Sequence, residues 1–442
     1  MDFKKTILWA VFALSGLMLY NNWLISEGKP SLLGGQPKVE AVVDQSGAPK
    51  LDVPAPLQTG TIVSPAVGQT PLATVDVINP SEKFTLQNDV LVLEVSANGG
   101  NIIHATLLKE LTEEQKPVEL FQYTTSHKYF ARSGLISLDN PDLPNHTSQF
   151  KLVGSGKNEA GKPFLVLAAE RNGVQLEKTF TLNNGSYIVD VNHRVTQNNA
   201  SPVNLVLYTE LVRDGKQDKG VGPFDGAFAA STFAGPAAYT ATEKFNKLHF
   251  TDIDKNKITI PTQVPAGDSA WIAMVQHYFA GVWIPGDKVA RDIYAGKIDN
   301  NLYRIGMQMP LGIVAPGTMV VENARLYVGP QVETTLETIA PGLELLKDYG
   351  YLTVIAKPIF WLLQKIHNYV GNWGWSIVLL TILIKLVFFP LSAASYKSMA
   401  RMKEVQPRLL KMKEQYKGEP QKLNQAMMEM YRKEKINPVG GC

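Results

Sequence analysis

The chain has 442 residues, 45% of them apolar, and a net charge of only +3. That length excludes a single ordinary domain. The one cysteine, Cys442, excludes a disulfide within the chain, so cysteine usage says nothing about redox compartment.

Hydrophobicity and charge are both unevenly spread. From Ser392 to the end there are 11 Lys and Arg against 5 Asp and Glu, whereas the rest is mildly acidic. The first lipid-like stretch, "TILWAVFALSGLMLYNNWLI", covers Thr6 to Ile25. As a helix it would span about 30 Å, the hydrocarbon thickness of a bilayer. Lys4 and Lys5 precede it, and Trp9, Tyr20 and Trp23 sit near its ends. No small-x-small cleavage site follows, so residues 1–26 read as an uncleaved anchor, with a cleaved signal peptide as the rival. Residues 27–80 hold eight prolines among Gly, Ser, Gln and Val, the composition of a flexible tether.

The pattern then turns to strands over residues 81–340. "GVQLEKTFTLNNGSYIVDVNHRVTQ" alternates on both sides of a hairpin-like Asn-Asn-Gly-Ser turn. "DSAWIAMVQHYFAGVWIP" and "GTMVVENARLYVGP" continue the style. Strands without interleaved helical patterns predict a large antiparallel β-sandwich. Its histidines, His104, His127, His146, His193, His249 and His277, are dispersed. No HExxH, GxSxG, phosphate loop or dinucleotide fingerprint occurs, so no catalytic constellation is legible.

Residues 343–371 contain an amphipathic helix, "PIFWLLQKIHNYV". Proline suits its first turn, and Ile359, Leu362, Leu363, Ile366, Tyr369 and Val370 share one arc of about 120°. It reads as a helix lying in the membrane interface, or else docked on the sandwich. Residues 372–391 form the second lipid-like stretch, entered at Trp373 and Trp375 and closed near Pro390. Residues 392–438 read as a helical hairpin. Met399, Met402, Val405, Leu409, Met412 and Tyr416 make one stripe. After a Gly418-Glu419-Pro420 turn, Leu423, Met427, Met430 and Tyr431 make the other. Its basic residues suit anionic headgroups. Basic segments stay cytoplasmic, so both ends lie inside, residues 27–370 outside and residues 392–442 inside. In a bacterium, outside is the periplasm.

One residue breaks the lipid-like pattern. Lys385 sits among Ile384, Leu386, Val387 and Phe388, at an insertion cost of at least ~2.5 to 3.5 kcal/mol. It can snorkel to the cytoplasmic headgroups, pair with an acid from elsewhere, or line a wet cavity. Snorkelling runs against the tilt of helical side chains, which point back towards the N-terminus and here into the membrane.

"NWGWSIVLLTILIKLVFFPLSAASYKSMARMK" and "MMEMYRKEKINPVGGC" resemble the YidC family of bacterial membrane protein insertases, and the order of segments agrees over the whole chain. The resemblance implies a mixed integral membrane protein of the inner membrane: two transmembrane helices, a periplasmic sandwich similar to mutarotase-like folds, an interfacial helix and a cytoplasmic hairpin. It implies a non-enzymatic role without cofactor or metal. Such a protein inserts and folds nascent inner-membrane proteins, alone or with the Sec translocon and its accessory subunits. Lys385 matches the family's positive groove residue, commonly arginine; the charge is kept and the planar fork lost. The hairpin, with Lys397, Arg401, Lys403, Arg408, Lys411, Lys413, Arg432 and Lys433, would receive ribosomes, targeting factors and anionic lipids. The family has three further spans, so residues 439–442 read as the start of a missing one. The rival readings are an anchored periplasmic scaffold and a carbohydrate-binding sandwich.

Overall fold

The computed structural model describes residues 82–215, 233–258, 260, 263–286, 289–347, 349, 353–416 and 420–434. The expected N-terminal anchor and tether, the Gly418-Glu419 turn and residues 439–442 lie outside the described residues.

Two nine-stranded sheets form the body. One runs, in spatial order, β1 (Lys83–Gln87), β2 (Leu91–Ser96), β3 (Asn101–Leu111), β4 (Pro117–Tyr123), β5 (Lys128–Ile136), β10 (Val203–Asp214), β17 (Leu302–Val314), β16 (Arg291–Asp299) and β13 (Gln263–Val264). The other runs β12 (Lys244–Lys247), β11 (Gly235–Thr240), β14 (Ala270–Val275), β15 (Phe279–Pro285), β18 (Met319–Pro330), β9 (Ile188–Gln197), β8 (Val174–Leu182), β7 (Pro163–Arg171) and β6 (Lys151–Lys157). Every pairing is antiparallel, as the alternation predicts. The Asn-Asn-Gly-Ser turn joins β8 to β9, with Gly185 at φ 70.

Period-two patterning decides what goes inside. On β8, Val174, Leu176, Phe180 and Leu182 point into the core between the sheets. Lys178 occupies the same face and is fully buried, opposite the equally buried His193 on β9. Burial of a charge requires partners. Lys178 Nζ donates to the carbonyls of Gly99 at 2.7 Å and Ser133 at 2.8 Å. It also lies 4.7 Å from the centre of the Phe150 ring. Burial, with no carboxylate to offset it, pushes its pKa down to about 7. Burial and then the Lys178 charge push His193 down to about 3.

A second core lies on the far face of the β11–β14–β15 end. The short helix Glu333–Ile339 and the 3-10 turn Leu343–Leu346 cover Tyr239, Trp271, Val282 and Ile284 there, using Leu336, Ile339, Leu343 and Leu346. Gly342 has φ 76, and a Cβ at this position would run into the Tyr239 ring. So the chain is strapped across the outer face of the sandwich at this end.

That helix spans Thr353–Val370, with Pro358 inside it rather than in its first turn. The next spans Trp373–Val387, and the first hairpin arm spans Phe389–Gln415. The expected span over 372–391 is therefore broken: the two helices meet at a bend of 60°. Pro390 accounts for it, because it lacks the N–H that would bond back to Leu386 and so starts a new helix. No single helix among the described residues is long and apolar enough to cross a membrane; the bent pair passes by length and composition. Pro407, in contrast, lies within an unbroken arm.

Candidate functional site: the C-terminal helices

Three contacts fix the helix Thr353–Val370. Lys357 Nζ pairs with Glu333 Oε1 at 2.8 Å, on the helix that straps the sandwich. Lys347 Nζ lies 3.6 Å from the centre of the Phe360 ring. His367 stacks on Trp373 with ring centres 3.8 Å apart, at the elbow into the next helix. The elbow itself is made by Gly371 at φ 70 and by Asn372, whose side chain accepts from the Trp375 N–H and caps the following helix. Val354, Ile355, Ile359, Trp361, Tyr369 and Val370 remain exposed. Of the predicted arc, Leu362, Leu363 and Ile366 are half-buried, so only part of that stripe is open.

Lys385 lies in the last turn of the helix Trp373–Val387. Ser376 and Leu380 are buried and Ile384 half-buried, four residues apart on one face. Lys385 is a residue beyond that seam and is exposed, one turn from Thr381. The Ser376 and Thr381 hydroxyls donate to the carbonyls four residues back, at 2.7 and 2.8 Å, and so satisfy themselves. No acidic side chain among the described residues pairs with Lys385. The helix has 15 residues, so it is about 22 Å long and shorter than the bilayer core of about 30 Å. The charge sits nearer to a helix end than an unbroken span would allow.

The hairpin closes by its apolar stripes. Met402, Leu409, Met412 and Tyr416 are half-buried and Val405 buried on the first arm. Leu423, Ala426, Met427, Met430 and Tyr431 are half-buried on the second, Pro420–Lys433. Met399 lies outside the seam, exposed. Of the eight expected basic residues, Lys397, Lys403, Arg408, Lys411, Lys413, Arg432 and Lys433 are exposed and Arg401 half-buried. Arg408 pairs with Glu434 at 3.0 Å across the arms, and Lys433 with Glu429 at 3.6 Å within one. They spread over both arms instead of converging on one point.

The sandwich also holds polar pairs. His127 Nδ1 lies 2.8 Å from Asp214 Oδ2, and His146 Nδ1 2.5 Å from the Tyr208 hydroxyl. Glu210 is fully buried between Arg132, Arg304 and the Tyr294 hydroxyl. No metal-competent cluster occurs among the described residues. Sequence reasoning missed Lys178 and Glu333. The first was readable from the alternation of β8; the second pairs across 24 residues with no local signal.

Comparison with known proteins bears on this assembly. The family model for the YidC periplasmic domain matches residues 83–362, and the model for 60Kd inner membrane protein matches residues 365–442. A membrane protein insertase YidC from Polynucleobacter necessarius subsp. necessarius (strain STIR1) is 72% identical over all of this chain and 79% of its own length. The chain belongs to the YidC family of membrane protein insertases. YidC of Ralstonia nicotianae (strain ATCC BAA-1114 / GMI1000) is 46% identical over all of this chain and 78% of its own. The chain is thus a membrane protein insertase of the bacterial inner membrane with a periplasmic domain. Its substrates are nascent membrane proteins. A galactose mutarotase related enzyme from Lactobacillus acidophilus overlays 56% of this chain and 97% of its own at a TM-score of 0.37 and 10% identity, too remote to argue from.

Proposed function

We propose that Lys385 provides the attraction that draws the polar flank of a nascent helix into the bilayer. The observation that carries this reading is the exposed, unpaired Lys385 on a helix of only 15 residues that ends at a bend. A charge in a poorly screened cavity acts over a distance that water would quench. Acidic residues in a segment bound for the periplasm are drawn towards it. The apolar segment that follows then leaves for lipid.

The surrounding parts support this step. Val354, Ile355, Ile359 and Trp361 suit an interfacial helix on the periplasmic side. The hairpin offers exposed cations to ribosomal RNA, targeting factors or anionic headgroups. The protein works alone or beside the Sec translocon. Its N-terminus and residues 392–442 are cytoplasmic, and residues 27–370 periplasmic.

Orientation is tested by single cysteines at Lys4, Tyr187 and Met430, with Cys442 replaced. An impermeant thiol reagent added to intact cells should label position 187 alone. Labelling at 430 but not at 187 overturns the reading.

A further inference from the structure

We propose that Glu333 is a positioning residue that fixes the roll of the helix Thr353–Val370, and hence which side chains it presents to lipid. The proposal rests on the reading of that helix as interfacial.

The geometry comes from three sides. Glu333 begins the short helix strapped to the sandwich, and its side chain is only 10% exposed. It accepts from the Tyr349 hydroxyl at 2.7 Å through Oε2 and pairs with Lys357 at 2.8 Å through Oε1, so both carboxylate oxygens are engaged. The Lys347 ammonium then caps the Phe360 ring. Tyr349 and Phe360 lie with ring centres 6.2 Å apart and complete the cluster. Burial pushes the Glu333 carboxyl up, and Lys357 and Tyr349 overcome it, leaving the group below its ordinary range and ionised at neutral pH.

Roll follows from helical spacing. At about 100° per residue, Lys357 and Phe360 fall within about 60° of each other, whereas Ile355 and Ile359 lie about 170° and about 130° round the helix from the midpoint of that pair. One side of the helix is therefore tied to the sandwich, and the exposed isoleucines face away from it. The His367–Trp373 stack holds the other end at the elbow. A helix held at both ends cannot turn its isoleucines out of the bilayer. An apolar arc alone allows wider rocking, because Trp361, Val354, Tyr369 and Val370 extend it on both sides.

The test uses charge reversal and exchange. Ile355→Cys is placed in the membrane-embedded full protein with Cys442 replaced, and its rate of reaction with an impermeant maleimide is measured. In the parent it should react slowly. Glu333→Lys brings a third cation beside Lys347 and Lys357, and Lys357→Glu repels Glu333. Each should speed labelling about tenfold, the population change produced by ~1.4 kcal/mol of lost interaction. Combining Glu333→Lys with Lys357→Glu should restore slow labelling and substrate insertion together. Purely structural damage to the sandwich would not be rescued by exchange, and it would lower the unfolding temperature of the periplasmic domain. Unchanged labelling in both single variants, or no recovery in the exchange, overturns the proposal. Fast labelling of Ile355→Cys in the parent overturns the interfacial reading itself.

Discussion

The sandwich turns Lys178 inward, whereas the helical half leaves Lys385 on its surface, and both lysines stand among apolar neighbours. In the sandwich, two sheets and a strapped helix cover the apolar residues, so the lysine must be satisfied from within. Two carbonyls and an aromatic ring do this, and burial lowers its pKa to about 7. In the helical half, Trp361, Ile377, Leu386, Phe389 and Leu391 are exposed. Such a surface is stable only where lipid or other protein covers it. The same juxtaposition therefore means different things: a satisfied core group in one region, and, on the reading we propose, a charge that attracts a substrate in the other.

Substitution of Lys385 is the strongest way to break that contrast. Lys385→Glu should reduce insertion of a substrate with an acidic translocated tail more than about tenfold, because attraction becomes repulsion at low screening. Lys385→Ala should impair that substrate more than one with a neutral tail, and Lys385→Arg should remain active because the charge persists. Insertion rates of paired substrates, at matched protein level, decide it. If Ala and Glu both insert every substrate like the parent, Lys385 is a snorkelling residue and the contrast fails.

Legibility in the sequence differed between the two regions. Alternation on β8 and β9 and their Asn-Asn-Gly-Ser turn are local facts, and they foretold the antiparallel pairing. The hairpin seam was equally local, since Met402, Val405, Leu409 and Met412 recur at helical spacing. The break at Phe388 was not foreseen. Hydropathy counts apolar side chains, and Phe388, Phe389 and Leu391 continue the count; it ignores the missing N–H of Pro390. The clamp at Glu333 was hidden for another reason. Its partner Lys357 lies in a different helix, and nothing near either residue names the other.

Lys178 offers a sharper test of the sandwich side. Its pKa is about 7 in the folded state against an ordinary 10.5. Between these values the unfolded chain binds the proton and the folded chain does not. Stability should therefore rise with pH across that window, and the full penalty should hold below about 7. The span of the effect is on the order of 5 kcal/mol, an upper figure for a fully buried ammonium. Lys178→Met removes the titrating group and leaves two carbonyls unpaired, which offsets part of the gain. The decisive quantity is thus the slope, not the absolute stability. Denaturant midpoints of the parent should climb from pH 7 to 10, and those of Lys178→Met should show that part of the slope removed. Parallel curves would show that the core does not strain against this charge.

The smallest effect should come from the hairpin's surface. Arg408 and Glu434 bridge the two arms at 3.0 Å, but their side chains are 72% and 43% exposed. Solvent and salt screen such a pair, so Arg408→Ala should change hairpin stability by no more than ~0.5 kcal/mol. The seam does the holding: Val405 is buried against the second arm's stripe, and Val405→Ala should cost about 1 kcal/mol or more. Amide hydrogen exchange along residues 400–416 and 420–433 measures both. Opening that follows Val405 and ignores Arg408 leaves the basic residues dispensable to the fold and so free for a partner. Equal opening in the two variants would mean that Arg408 is part of the hairpin's own structure. The contrast between an inward-looking sandwich and outward-looking helices would then stop at the membrane.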